Sequence, residues 1–155
     1  MTRTDYDLER FVAAQEAGDT YGRAAAELRS GRKISHWMWF VFPQIAGLGH
    51  SPTSRRYAIT SLSEAKAYLD DPLLGPRLIE CARVLCDIGA GPAEDIFGPV
   101  DALKLRSSMT LFMRARPAET VFAQVITVYF GGEPDQATDE RLATWFSVRR
   151  PWPGG

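Results

Sequence analysis

The sequence predicts an all-α single domain of about seven or eight helices, with little or no sheet. Three observations predict it. Apolar residues recur at helical spacing along nearly the whole chain, helix-capping signals punctuate that pattern, and only one segment, Trp37–Phe42, reads equally well as a strand. A fully apolar hexamer suits a buried helix or a buried strand. No second clear strand exists to pair with it, so a short helix is expected there.

The elements follow in order. Leu8, Phe11, Val12 and Gln15 mark the first amphipathic helix, with Thr4 or Asp5 available as its N-cap. Tyr21, Ala24, Ala25 and Leu28 repeat the pattern, and Gly31 suits the C-terminal cap. Ser61-Leu-Ser-Glu64 matches a capping box and opens a helix carrying Ala65, Tyr68 and Leu69. Pro76 sits in the first turn of the next, with Ile79, Ala82, Val84, Leu85 and Cys86 as core candidates. Pro99 and Pro117 are placed to open helices at roughly 100–115 and 118–130, the second closed by Gly131-Gly132. Thr138 is expected to cap a last helix that delivers Leu142, Trp145 and Phe146. The domain is expected over residues 1–148, with Arg149–Gly155 as a flexible tail.

Length and charge bound the function. A chain of 155 residues makes one domain, burying roughly 68–70% of its unfolded surface. The formal net charge of -1 gives no global argument for nucleic acid or a membrane surface. No apolar run spans a bilayer and the N-terminus lacks an apolar secretory region, so a cytoplasmic location is expected. The two cysteines, Cys81 and Cys86, are five apart on one helix. That spacing sets them about 140° apart around its axis, which opposes a disulfide and makes them core residues.

Chemistry concentrates in Gly31-Arg-Lys-Ile-Ser-His-Trp-Met-Trp-Phe-Val-Phe-Pro-Gln44. Cations beside a core-forming run are costly to bury for packing alone. If Trp37 starts a helix, Ser35 is the natural N-cap, and the free N–H groups face the same space as Arg32, Lys33 and His36. That arrangement would bind phosphate or carboxylate. Arg32 would bind it bidentately, Lys33 as a point charge, and His36 could donate a hydrogen bond or relay a proton. Gln44 and the indoles of Trp37 and Trp39 add donors and flat faces. The plainer alternative makes Ser35 a simple cap, Arg32 and Lys33 a solvated turn, and the aromatics core.

The second segment is Phe97–Phe112. On a helix, Lys104 and Ser108 are neighbours one turn apart, and Ser107 lies between Leu103 and Leu111. Lys104, Ser107 and Ser108 could line the far wall of a pocket. Equally, the serines could bond back to carbonyls of the previous turn and allow close helix packing.

Other chemistries lack their residues. With only His36 and His50 and no paired-cysteine spacing, no metal site is expected. No nucleophile elbow or phosphate-binding P-loop occurs, and Gly47-Leu-Gly49 lacks the third glycine and the strand of a dinucleotide fingerprint. Ser51 beside His50 is no catalytic pair. Arg55-Arg56-Tyr57 reads as a solvated loop edge before it reads as a nucleic-acid patch.

The chain resembles the bacterial domain-of-unknown-function 1810 family over roughly residues 5–145. The blocks that carry the likeness are Asp7–Gln15, Gly31–Gln44, Ala46–Gly49, Tyr57–Ile59, Glu64–Leu69 and Phe97–Phe112. The resemblance implies a compact, mainly α-helical domain and no particular reaction. Members are sometimes labelled calpastatin, but those inhibitors are disordered and repeat-built, whereas this chain is aromatic, unrepeated and apolar enough to fold.

The expected function is binding of a small anionic metabolite, phosphate-bearing and nucleotide-like, at a pocket around Gly31–Gln44. Arg32, Lys33, Ser35, Trp37, Gln44, Lys104, Ser107 and Ser108 would bind it. His36 and Asp101 would be the acid–base groups if a reaction occurs, which the residues leave open. No cofactor, nucleic acid or membrane is expected. One alternative is an interaction module presenting Trp37, Trp39 or Trp152 to a protein partner. Another is hydrolysis of an N-glycosidic bond in an ADP-ribose-like or ribosylamine substrate, chemistry that needs a positioned carboxylate.

Overall fold

The 23 residues of Ala93–Ala115 form the longest helix, and the rest of the chain is arranged around it. Ser107 to Phe112 are six consecutive buried residues on it, so this stretch of the helix is enclosed on every side. The computed structural model describes residues 3–89 and 91–149, with the side chains of 5–89 and 91–144. Ten α-helical segments occur among them: α1 Arg3–Tyr6, α2 Glu9–Glu16, α3 Thr20–Arg29, α4 Met38–Val41, α5 Pro52–Arg56, α6 Leu62–Asp70, α7 Leu74–Ile88, α8 Ala93–Ala115, α9 Val121–Phe130 and α10 Gln136–Arg149. Seven of these are eight residues or longer, which agrees with the all-α expectation. Helix α8 packs on α6, α9 and α10, while α7 packs on α3, α6 and α9. No helix among the described residues is long and apolar enough to cross a membrane.

Trp37–Phe42 is the short helix expected, α4, reduced to four residues. Sheet-like pairing among the described residues is limited to one parallel bridge between Ile45 and Ile59. Two hydrogen bonds make it: Ala46 N–H donates to Ile59 O at 2.8 Å, and Ile59 N–H to Gln44 O at 2.8 Å.

Several boundaries differ from the sequence pattern, each for a local reason. Thr4 and Asp5 do not cap α2, because α1 ends at Tyr6 and Asp7 turns with a φ of 52°. The Arg10 guanidinium donates to the carbonyls of Tyr6 at 2.7 Å and Asp7 at 2.8 Å, satisfying the end of α1 and forcing a restart at Glu9. Ser61 caps α6 as expected, accepting from Glu64 N–H at 3.0 Å. The reciprocal half of the box is shifted by one residue. Glu64 accepts from Thr60 N–H at 2.9 Å and Thr60 Oγ1 at 2.8 Å, because its other oxygen is held by Arg10. Ser61→Ala should cost about 1 kcal/mol in denaturant unfolding, the ordinary cost of a lost cap.

Helix α8 starts at Ala93, before Pro99. Gly98, at φ 78° and ψ 166°, dislocates it, so Pro99 opens only its second segment. Pro117 opens a turn, closed by Glu119 N–H to Arg116 O at 3.1 Å, and α9 begins later at Val121. Thr138 is not the cap of α10. Asp135 accepts from Thr138 N–H at 2.8 Å and from its hydroxyl at 2.6 Å, which makes Asp135 the capping acceptor and places Thr138 in the first turn. The side chains of Trp145 and Phe146, and the predicted tail beyond Arg149, lie outside the described residues. Cys81 is buried, and burial pushes its thiol up to about 12, so it is an inert packing group.

Candidate functional site

The Ile34–Trp37 segment does gather anion-binding donors, but the chain fills them itself. Glu27 of α3 accepts from Ile34 N–H at 2.8 Å, Ser35 N–H at 3.0 Å, Ser35 Oγ at 2.6 Å and Trp37 Nε1 at 2.9 Å. Ser35 is therefore no helix cap; its hydroxyl is committed to a carboxylate, and α4 starts without a side-chain cap. Partial burial pushes the Glu27 carboxyl up, but the hydrogen bonds from Ser35, Ile34 and Trp37 outweigh it and hold the group down at about 2. A depressed carboxyl contributes stability that is complete above its ordinary value near 4.5 and is lost as pH falls towards 2. Glu27→Gln should thus lower stability by about 2 kcal/mol at neutral pH. Its deficit should shrink between about pH 4.5 and 2 in a urea series. A deficit that stays constant down to pH 2 would contradict this assignment.

Lys33 and Asp101 are brought together, and Lys104 joins them. Lys33 Nζ lies 3.0 Å from Asp101 Oδ2, donates to Ser35 O at 2.7 Å and sits 5.0 Å from the centre of the Trp37 ring. Lys104 Nζ lies 3.3 Å from Asp101 Oδ1 and 4.7 Å from the centre of the Trp39 ring. One carboxylate thus serves two lysines, each of which also rests on an indole. Asp101 is a charge clamp between elements here, and it is not among the residues that line the cleft described next.

The cavity lies one step away. Trp39, Gln44, Ile45, Ala46, Gly47, Gly49, Ser54, Arg55, Tyr57, Ala58 and Thr60 line a cleft of about 190 Å³. Its two loops are joined by the Ile45–Ile59 bridge. No acidic side chain lines it, and Arg55 contributes a guanidinium without a carboxylate partner among the described residues. The Trp39 Nε1–H is buried and has no acceptor among the described residues. Gly47 turns with a φ of 97°, and the guanidinium of Arg141 from α10 lies against it. A methyl group on Gly47 would come within 1.8 Å of Arg141 Nη2.

Arg10 supports the cleft from behind. It donates to Arg56 O at 2.8 Å and Ala58 O at 2.9 Å, the carbonyls on either side of Tyr57, and pairs with Glu64 at 2.9 Å. The Tyr57 wall is thereby fixed to α2 and α6.

Of the residues singled out by sequence, Gln44 lines the cleft, and Lys104 reaches it only through Trp39. Arg32 and His36 are exposed and outside its lining. Trp37 is fully buried, which removes it as a docking residue. Ser107 and Ser108 face the interior of the helix packing, not a pocket wall. The Thr138 hydroxyl is given to Asp135, so Ser107 Oγ donates to Thr138 at 2.7 Å, while Ser108 Oγ is buried with no partner among the described residues. Neither serine bonds to the carbonyl of the previous turn. Thr110 does, to Arg106 O at 2.8 Å. Ser108→Ala should therefore be neutral or stabilising by thermal unfolding, since it removes an unsatisfied buried hydroxyl.

Glu27, Arg10 and Arg141 carried no motif, and Glu64 was legible only as the far end of a capping box. Arg55 and Tyr57 were visible as a basic–aromatic pair but read as a solvated edge.

The crystal structure of the conserved hypothetical protein Rv1873 from Mycobacterium tuberculosis is similar to this chain. The two are 52% identical, the match covers 90% of this chain and 98% of that one, and the TM-score is 0.87. A search of curated proteins found no match. The family model described as "Protein of unknown function (DUF1810)" matches residues 5–142, and the chain belongs to that family.

Proposed function

We propose that the protein binds a small phosphate-bearing anion in the cleft between the 44–49 and 54–60 segments. The observation that carries this reading is the cleft's lining: a guanidinium with no carboxylate partner among the described residues, an amide, the hydroxyls of Ser54 and Thr60 and two aromatic side chains, with no carboxylate among the lining residues to repel an anion. Arg55 supplies the charge, Ser54 and Gln44 supply directional hydrogen bonds, and Trp39 and Tyr57 supply apolar walls. At about 190 Å³ the cleft is smaller than the roughly 300–1,000 Å³ typical of small-molecule pockets, which favours a compact sugar phosphate or one end of a nucleotide. The Ile34, Ser35 and Trp37 donors already serve Glu27 and Lys33 is paired with Asp101, while Arg32 and His36 are exposed outside the lining, so the cleft is the better-supported site.

The competing readings find less support. An interaction module would need exposed tryptophans. Trp37 is buried, Trp39 is only partly exposed, and Trp152 lies outside the described residues. Hydrolysis of an N-glycosidic bond would need a carboxylate in the cleft, and none lines it.

A thermal-shift screen with sugar phosphates and nucleotides tests the proposal. A ligand at 100 times its Kd should add about 2.7 kcal/mol of stability. Arg55→Gln should leave the unliganded protein as stable as before and abolish that gain. If no phosphorylated compound stabilises the protein at millimolar concentration, the proposal fails.

A further inference from the structure

Arg141 is in an unusual position for a surface cation. It projects from the last helix, α10, yet its guanidinium lies against the backbone of a loop that lines the cleft. Nη2, Cζ and Nε would all fall within 2.4 Å of a methyl group placed on Gly47, so the whole fork is close to the loop, not merely its tip. No carboxylate or hydrogen-bond acceptor for it occurs among the described residues. Its acidic neighbours on α10 are engaged elsewhere. Asp139 is held by Arg114 at 3.0 Å, and Glu140 accepts from Gln136 at 3.0 Å. Arg55, from α5, is the cation on the cleft lining itself. Arg55 thus lines the cleft, and Arg141, from a distant part of the chain, lies against Gly47 of the same lining.

We propose that Arg141 is a second phosphate-binding arm of this cleft, so that the site takes a dianionic terminal phosphate, a phosphomonoester, between Arg55 and Arg141. The inference rests on the anion-binding reading above and adds to it a ligand class and a residue. A terminal phosphate has three free oxygens and carries a charge of about −1.5 to −2 at pH 7, so it can accept from two guanidinium forks at once. A phosphodiester has two free oxygens and a single charge, and it satisfies one fork. Glycine at position 47 fits this role: any side chain there would collide with the Arg141 guanidinium and displace it from Gly47.

Methyl phosphate and dimethyl phosphate separate the two ligand classes at nearly equal size. Titration calorimetry at pH 7.5 would measure both, with acetate and inorganic phosphate alongside, on the full chain and its variants. The expected result is that methyl phosphate binds at least about tenfold more tightly than dimethyl phosphate, a difference of about 1.4 kcal/mol. Arg141→Gln should abolish that preference, and Arg141→Lys should recover only part of it, because an ammonium lacks the fork. Arg55→Gln should remove binding of both esters. Arg83→Gln, an equal loss of charge on a side chain paired with Glu119, should change neither.

The failures are distinguishable. If neither ester binds, or binding ignores Arg55→Gln, the cleft is not the anion site and both proposals fall. If binding depends on Arg55 but treats the two esters alike, or is untouched by Arg141→Gln, only the second arm is overturned.

Discussion

Arg10→Ala is expected to destabilise the domain by about 3–5 kcal/mol, the usual consequence of removing one partner from a buried ion pair. For a chain of this length that corresponds to a fall in Tm of roughly 6–20 °C. Arg10 and Glu64 side chains are only 13% and 3% exposed. The guanidinium donates to four carbonyls, of Tyr6, Asp7, Arg56 and Ala58, as well as to the Glu64 carboxylate. Its loss leaves Glu64 charged and buried with only Thr60 as a donor, and frees the backbone on both sides of Tyr57. Arg10→Lys should rescue little, because a point charge cannot reach acceptors arrayed around a planar fork. Differential scanning calorimetry would show the effect. A fall in Tm of less than about 2 °C would mean that the pair does not hold these elements together.

Trp37→Ala should be comparably severe, at about 3–5 kcal/mol for the lost aromatic volume alone. Trp37 is fully buried, with its ring centre 6.1 Å from that of Phe42 and 6.4 Å from that of Phe97. It also supplies one of the Glu27 donors and carries Lys33 over its face. Trp37→Phe separates these contributions: it keeps a ring, removes the indole N–H, and should cost about 2 kcal/mol. Urea unfolding followed by far-UV circular dichroism would compare the two. Equal losses in both variants would assign the whole effect to the hydrogen bond and contradict the packing argument.

The fold was legible because its signals are local. Ser61 caps a helix whose first turn it precedes, Pro76 lies in the first turn of α7, and Leu105, Met109 and Phe112 share one stripe. Errors arose where a partner lay outside the window. Thr4 and Asp5 looked like caps because nothing nearby shows that Arg10 takes the Tyr6 and Asp7 carbonyls. Thr138 looked like a cap because Asp135, three residues earlier, is an equally good one, and only the fold decides between them.

The candidate site was less legible for the same reason. The donors of Ile34, Ser35 and Trp37 have the character of an anion site. What sequence could not show is that Glu27, on a different element, already accepts from them. Lys33 likewise looked free until Asp101 was placed beside it. Arg55 and Arg141 belong to one place only after the chain has folded, and no periodicity links them.

The Ile45–Ile59 bridge has a consequence in solution kinetics. Its two hydrogen bonds are the backbone connection between the cleft's walls, so the amide protons of Ala46 and Ile59 can exchange with deuterium only when the walls part. Both should exchange at one common rate, well ahead of the amides inside α8. That rate measures how often the cleft opens, and an occupant held between the walls would slow both protons by the same factor.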